Sequence, residues 1–303
     1  MTDHCIDIQN LTKHFGDKTA LNNICLQIDE GKNHAVVGSN GAGKSTLFKI
    51  LIGIETPCDG RATLWGEDTK RLSPDIRRKV GFVNQEHVLP EWMTAKQATA
   101  FEKADYPNWD QGMYERVLSV FDVSPKQKVS SLSRGERAGL KLAIVMAQKP
   151  ELLIFDEPTL GLDVVSKSAF LETLLFSQED SATTTIYCSH QLEEIERVAD
   201  SLIVLEKGEL KIHSSPDELV GRVRRWITDF EDGAPALDHI PGCLKMREVD
   251  DKTHLWVIDQ GNDFSQFLAS KNAGESMCCE VGLGESITAF LSKNHAGSEQ
   301  VWV

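Results

Sequence analysis

Apolar and polar residues alternate along Cys5–Ile8 and again along Ile24–Ile28, and this period of two predicts a pair of strands with a loop at Gly16-Asp17 between them. His34–Val37 is a short β-branched run that predicts a third strand. The spacing turns helical over Lys44–Ile52, and Gly53 ends it. Ala62–Trp65 and Val80–Val83 are again strand-like. Thr94–Lys103 and Met113–Phe121 follow as helices with only Pro107-Asn108-Trp109-Asp110 between them, so residues of about 86–131 form a mainly helical insertion. Gly135–Gln148 is another helix. Leu152–Phe155 is apolar at consecutive positions, the pattern of a strand covered on both faces. Helix Val165–Phe176, strand Thr184–Cys188 and helix Leu192–Val198 then alternate. Leu202–Leu205 and Leu210–His213 flank a hairpin turn at Lys207-Gly208. Pro216 opens one more helix, with Ser215 as its cap.

Strands alternating with helices predict an α/β fold, a parallel sheet covered on both faces. The texture changes after Gly221, dividing the chain into 1–221 and a smaller α+β unit, 222–303. Strands in that unit are expected at His254–Ile258 and Met277–Val281, and helices at Asp263–Ser270 and Glu285–Lys293.

Composition narrows the classes. With 303 residues, 41% apolar and 26% charged, the chain has the make-up of a globular protein of one large domain and a smaller one. No run approaches the roughly 18 apolar residues of a membrane span, and Met1–Asp7 lacks a signal-peptide pattern. Work at a membrane would therefore need another chain to span it. A net charge of −14 argues against a nucleic-acid partner, which calls for a basic face. Arg77-Arg78-Lys79 and Arg222–Arg225 are short basic clusters expected on solvated surface. The seven cysteines form no CxxC pair and are expected to be reduced thiols. Cys278-Cys279 is expected to be buried packing rather than a metal site.

The candidate chemistry starts where the third strand ends. Gly38-Ser39-Asn40-Gly41-Ala42-Gly43-Lys44-Ser45 fits GxxxxGK[ST] at every fixed position, between a strand and a helix. Its backbone N–H groups and the helix start favour a phosphate. Lys44 would reach the β- and γ-phosphates of ATP, Ser45 would hold Mg²⁺, and Thr46 completes this set. Leu152–Phe155 ends in Asp156 and Glu157, and strand ends are where open α/β sheets bind ligands. Asp156 is the expected Mg²⁺ partner and Glu157 the group that orients or deprotonates water. The guanine-specific N-K-x-D pattern is absent.

Leu132-Ser133-Arg134-Gly135-Glu136 resembles the LSGGQ signature of ABC ATPases. The order of the other motifs agrees: Gln85 resembles the Q-loop glutamine, Leu160-Gly161-Leu162-Asp163 the D-loop, His190 the switch histidine, and Phe15 the aromatic that stacks on adenine. An edge-strand role is the rival reading of Phe15, and a helix N-cap the rival reading of Asp163. The resemblance implies an ABC-type P-loop fold with antiparallel strands at its N-terminus, working as a head-to-tail dimer. Ser133 and Gly135 would meet the γ-phosphate bound by a second ATPase subunit, identical or not. His190 would meet the γ-phosphate in its own subunit, Gln85 would reach Mg²⁺, and the insertion would touch a polytopic membrane permease. That places the chain on the cytoplasmic face of the cell membrane. Arg134 and Glu136 depart from the signature, and the direction of the Glu136 carboxylate decides what that departure does.

Tyr106-Pro107-Asn108-Trp109-Asp110, the added C-terminal unit and the helix at Gly284-Glu285-Ser286-Ile287 resemble bacterial ABC-2-type exporter ATPases. A soluble ABC ATPase acting on ribosomes or DNA, and a nucleotide-gated regulator, are the competing readings.

Overall fold

In the computed structural model, which describes residues 4–84, 88–180, 183–189, 191–231, 233–260 and 263–292, the chain separates into two compact units between His213 and Ser214. The first begins with two long antiparallel strands, β1 (His4–Phe15) and β2 (Lys18–Asp29), joined at the expected turn. Next come β3 (Asn33–Val37), α1 (Lys44–Leu51), β4 (Asp59–Leu64), β5 (Glu67–Asp68), α2 (Pro74–Arg78) and β6 (Val80–Asn84). The insertion holds α3 (Ala95–Lys103) and α4 (Gln111–Val120). Beyond it lie α5 (Arg134–Ala147), β7 (Leu152–Asp156), α6 (Val164–Asp180), β8 (Thr184–Cys188), α7 (Leu192–Val198), β9 (Ser201–Glu206) and β10 (Glu209–Ser214).

Two sheets result. One has the order β2-β1-β4-β5 and is antiparallel. The other has the order β10-β9-β3-β8-β7-β6, and its strands from β9 to β6 run parallel. Leu47, Phe48, Ile50 and Leu51 of α1 share one core with Ile6, Ile8 and Leu26 of the first sheet and Ile154, Ile186 and Ile203 of the second. Burial of α1 against both sheets holds the start of that helix in place. Leu152–Phe155 is fully buried, because the alternate residues of β7 face opposite covered sides. Phe155 meets Phe170 of α6 edge-on at 5.3 Å between centroids.

In the second unit are α8 (Pro216–Arg222), β11 (Val223–Thr228), β12 (Cys243–Val249), β13 (Lys252–Ile258), α9 (Asp263–Ser270), β14 (Met277–Glu280) and α10 (Leu283–Ser292). Its antiparallel sheet has the order β12-β13-β11-β14. Trp226, Leu255, Val257, Phe264 and Leu268 form its separate core. The division falls before the change in texture after Gly221 because α8 packs on α10.

Several expectations differ from the structure. Arg222–Arg225 is partly exposed and also ion-paired, Arg222 with Asp259 at 2.7 Å and Arg225 with Glu285 at 3.0 Å. Strands β11 and β12 lie where no alternation was legible. Cys278 is exposed on an edge strand, not packed inside. All seven cysteines are free thiols.

Candidate functional site

Strand β3 is buried along its whole length and delivers the chain to the glycine loop. Gly43 caps α1 with φ at +107°, and a Cβ there would lie 2.5 Å from the Ala20 carbonyl oxygen, so only glycine fits. The Ala42 N–H donates to the Ser39 carbonyl at 3.0 Å and closes the loop. Lys44 folds over it, its Nζ donating to the carbonyls of Gly38 at 2.7 Å and Ser39 at 3.3 Å. The first turn of α1 carries no acidic residue, so its positive end is not neutralised.

Ser45 Oγ donates to Asp156 Oδ1 at 3.1 Å, which ties the glycine loop to the end of β7. The parallel register sets Asn84, Asp156 and Cys188 side by side at the ends of β6, β7 and β8. Cys188 Sγ donates to the same Oδ1 at 3.0 Å. Burial, reinforced by the Asp156 carboxylate, holds this thiol far above its ordinary range, so it stays protonated. Glu157 adopts φ of +52°, a left-handed conformation that costs a non-glycine residue about 1–3 kcal/mol. Its N–H donates to Cys188 Sγ at 3.2 Å. Two residues on, Thr159 Oγ1 donates to the buried Glu194 Oε2 at 2.9 Å, and Ser189 Oγ donates to the same atom at 2.7 Å.

Ser133 is the N-cap of α5. The Glu136 N–H donates to Ser133 Oγ at 3.2 Å, and the Glu136 carboxylate takes the Ser133 N–H at 2.7 Å, a complete capping box. That backbone bond leads the contacts holding the Glu136 carboxyl below the usual range. The direction of Glu136 is therefore settled: it turns back onto its own helix end and accepts from Gln127 Nε2 at 3.2 Å. Asp163 accepts from the Ser166 N–H at 3.0 Å and hydroxyl at 2.8 Å, the N-cap geometry expected as its alternative. A Cβ on Gly135 would lie 2.1 Å from Ser166 Oγ, so the start of α5 and the start of α6 are packed as one piece. The insertion supports this piece: a Cβ on Gly139 would strike the Phe121 ring at 2.1 Å.

The structure thus joins Ser45 to Asp156, and Ser133 and Gly135 to the neighbourhood of Asp163. Among the described residues no hydrogen bond or ion pair links those two groups. Phe15 lies at the end of β1, half exposed, with Lys13 Nζ 4.8 Å from its ring centroid. Gln85 and His190 lie outside the described residues; their neighbours Asn84 and Ser189 sit at the ends of β6 and β8. Lys141 Nζ of α5 donates to the Asn84 carbonyl at 3.4 Å. Pattern reasoning missed Cys188 and Glu194. A cysteine in an apolar strand has the signature of a small hydrophobe. Glu194 did carry a signal, an acid on the buried face that Ile195 and Val198 define in α7.

The chain is similar to known proteins in sequence and in fold. The family model described as ABC transporter matches residues 21–160, which span the glycine loop, the signature and the two carboxylates. The sulfate/thiosulfate import ATP-binding protein of Pseudomonas syringae pv. tomato is 34% identical over 71% of this chain and 68% of its own length. The bacitracin transport ATP-binding protein of Enterococcus faecalis is 32% identical over 89% of this chain and 88% of its own. This chain belongs to the ABC transporter ATP-binding family. A solved dimeric ATP-binding cassette in a post-hydrolysis state, bound to ADP and phosphate, superposes with a TM-score of 0.61 at 25% identity, covering 69% of this chain and 98% of that one. The first unit is accordingly an ABC ATPase cassette, and the chain is an ATPase.

Proposed function

We propose that this chain is the ATP-hydrolysing subunit that drives a separate membrane permease, in the direction of export. The observation that carries the hydrolytic part is the convergence of Ser45 on Asp156 beside Glu157, beyond the ends of β3 and β7. A hydroxyl and a carboxylate 3.1 Å apart are a hard-oxygen donor set that suits Mg²⁺. When bound, Mg²⁺ would neutralise charge on the β- and γ-phosphates, with Ser45 and Asp156 holding it and Gln85 reaching it. Lys44 and the N–H groups of residues 38–46 would hold the triphosphate. Phe15 would stack on adenine. Glu157 would act on the attacking water and His190 on the γ-phosphate.

Two subunits are part of this reading, because Ser133, Gly135 and Asp163 form a piece apart from the glycine loop. Exposed Leu160, Val164 and Val165 beside Asp163, the valines at 82% and 79%, support an apolar contact with a second ATPase subunit. The permease would dock on the insertion. There Trp92 and Phe101 are 74% and 73% exposed, near a cavity of about 200 Å³ lined by Phe82, Leu89, Tyr106 and Lys141. Among the described residues no helix is long and apolar enough to cross a membrane, so attachment to the cytoplasmic face would run through that permease.

Export is supported by the exporter-like sequence features and by the bacitracin transport relative, which matches across 89% of this chain and 88% of its own length; import relatives match across up to 84%, so coverage alone does not set the direction. Mild-detergent extracts should yield the chain with a polytopic membrane protein; its absence would defeat the permease reading. Cells lacking the chain should become more sensitive to bacitracin, the compound in the name of the Enterococcus relative, if this chain exports a similar compound. Failure to grow on limiting sulfate instead would favour import.

A further inference from the structure

Outside the motifs already placed, one buried side chain touches both carboxylate residues of the proposed hydrolytic site. We propose that Cys188 is a positioning residue for ATP hydrolysis, aiming the Asp156 carboxylate through its S–H and pinning the Glu157 backbone through its sulfur. The proposal rests on the assignment of Asp156 to Mg²⁺ and of Glu157 to the attacking water.

Three observations carry it. First, Cys188 Sγ is 3.0 Å from Asp156 Oδ1, the atom that also accepts from Ser45 at 3.1 Å. The two donors come from different elements, β8 and α1, and converge on one oxygen. A single hydrogen bond leaves a carboxylate freer to swing about its Cβ–Cγ bond than two donors held on separate elements do. Both bonds go to Oδ1 and neither to Oδ2, so the second oxygen is presented in a set direction.

Second, the same sulfur accepts the Glu157 N–H at 3.2 Å. Glu157 lies just past the end of β7 in a left-handed conformation, and its N–H is directed at this sulfur. A buried N–H without an acceptor is costly, and Cys188 supplies that acceptor. The thiol is thus donor to one catalytic candidate and acceptor from the next. A hydrocarbon side chain at this place can be neither.

Third, the register gives Cys188 no freedom to drift. It is fully buried, directly beside Asp156 in the parallel ladder, and flanked on its other side by Val36 of β3, just before the glycine loop. Ser189, the next residue, is held by Glu194.

Substitution in the full chain separates positioning from packing. Cys188→Val keeps an apolar side chain, larger by about one methyl group, and removes donor and acceptor; Cys188→Ser keeps both. Turnover of Cys188→Val should fall about tenfold or more, with the KM for ATP moving less than about threefold, since the aim of the carboxylates and not the grip on phosphate is lost. Binding of a fluorescent ATP analogue should then need several-fold more Mg²⁺ for half-saturation, yet match wild type in EDTA. Cys188→Ser should recover most of the lost turnover. Cys188→Ala repeats the test without a branched side chain, should Val disturb β8. Wild-type turnover and Mg²⁺ requirement in Cys188→Val and Cys188→Ala would overturn the inference. So would equal impairment of the Ser variant, which would assign Cys188 to packing. Glu157→Gln, run alongside, keeps the two failures apart. If it hydrolyses ATP like wild type, the assigned hydrolytic site is wrong. If it is inactive while Cys188→Val is normal, only the inference falls.

Discussion

Single atoms decide two outcomes at the residue scale. A methyl group on Gly135 has nowhere to go, since its Cβ would meet Ser166 Oγ at 2.1 Å and Ser166 Cβ at 3.0 Å. Gly135→Ala should therefore cost about 1–3 kcal/mol in urea unfolding and part α5 from the D-loop segment, with ATPase activity falling more than stability does. His34 gives a pH effect. It is buried, and desolvation first, then the charge of His213 and Lys32, push its imidazole down to about 4, against the Asp29 carbonyl that partly opposes them. The folded pKa lies below the unfolded one, so the unfolded chain binds the proton more readily. Stability from this group is complete above pH 6.5, falls as pH drops, and is exhausted near pH 4, a loss of about 3 kcal/mol in all. Urea midpoints taken from pH 7 to pH 4.5 should fall faster in wild type than in His34→Gln. The glycine loop and Asp156-Glu157 were legible because their chemistry needs fixed residue types at fixed spacing. The Glu136 carboxylate was not, because its direction depends on the cap that Ser133 forms in three dimensions.

Among elements, the ends of β7 and β8 matter most, because the loop beyond each is fastened to one helix, α7. Thr159, just beyond β7, and Ser189, just beyond β8, both donate to Glu194 Oε2, while Glu194 Oε1 has no hydrogen-bond partner among the described residues. One carboxylate oxygen therefore holds both chain ends. Losing one hydroxyl leaves the other in place; losing both leaves a buried carboxylate without donors. Thr159→Val with Ser189→Ala should thus cost more than the sum of the single changes, by about 1 kcal/mol or more in a double-mutant cycle read by urea unfolding. Additivity would mean the two hydroxyls act separately. The elements of the first unit were legible because parallel strands buried on both faces are continuous apolar runs, as in Leu152–Phe155. Strand β11 was not. Arg224 and Arg225 interrupt Val223–Thr228, and it is Glu285 of helix α10, sixty residues on, that pairs with Arg225 on this strand.

For the molecule as a whole, a cluster of buried residues in the first unit packs around α1 and another in the second around Trp226 and Phe264, with no residue shared between these two clusters. The proposed ATP site draws all its described residues from the first unit. Phe264 is fully buried, with its ring centroid 5.5 Å from Trp226 and 5.5 Å from Phe267. Phe264→Ala removes the centre of that cluster, and such truncations cost about 3–5 kcal/mol. The unit it belongs to spans only 214–303, and a core of that size has little stability to spare. Calorimetry of the full chain should then resolve two transitions, with the lower moved down by tens of degrees or lost and the upper almost unmoved. Fluorescent ATP-analogue binding at 25 °C should stay within about twofold of wild type, because no group that contacts nucleotide in the proposed site depends on Phe264. A single transition that shifts as a whole, or nucleotide binding lost together with the second core, would mean that the two units fold as one.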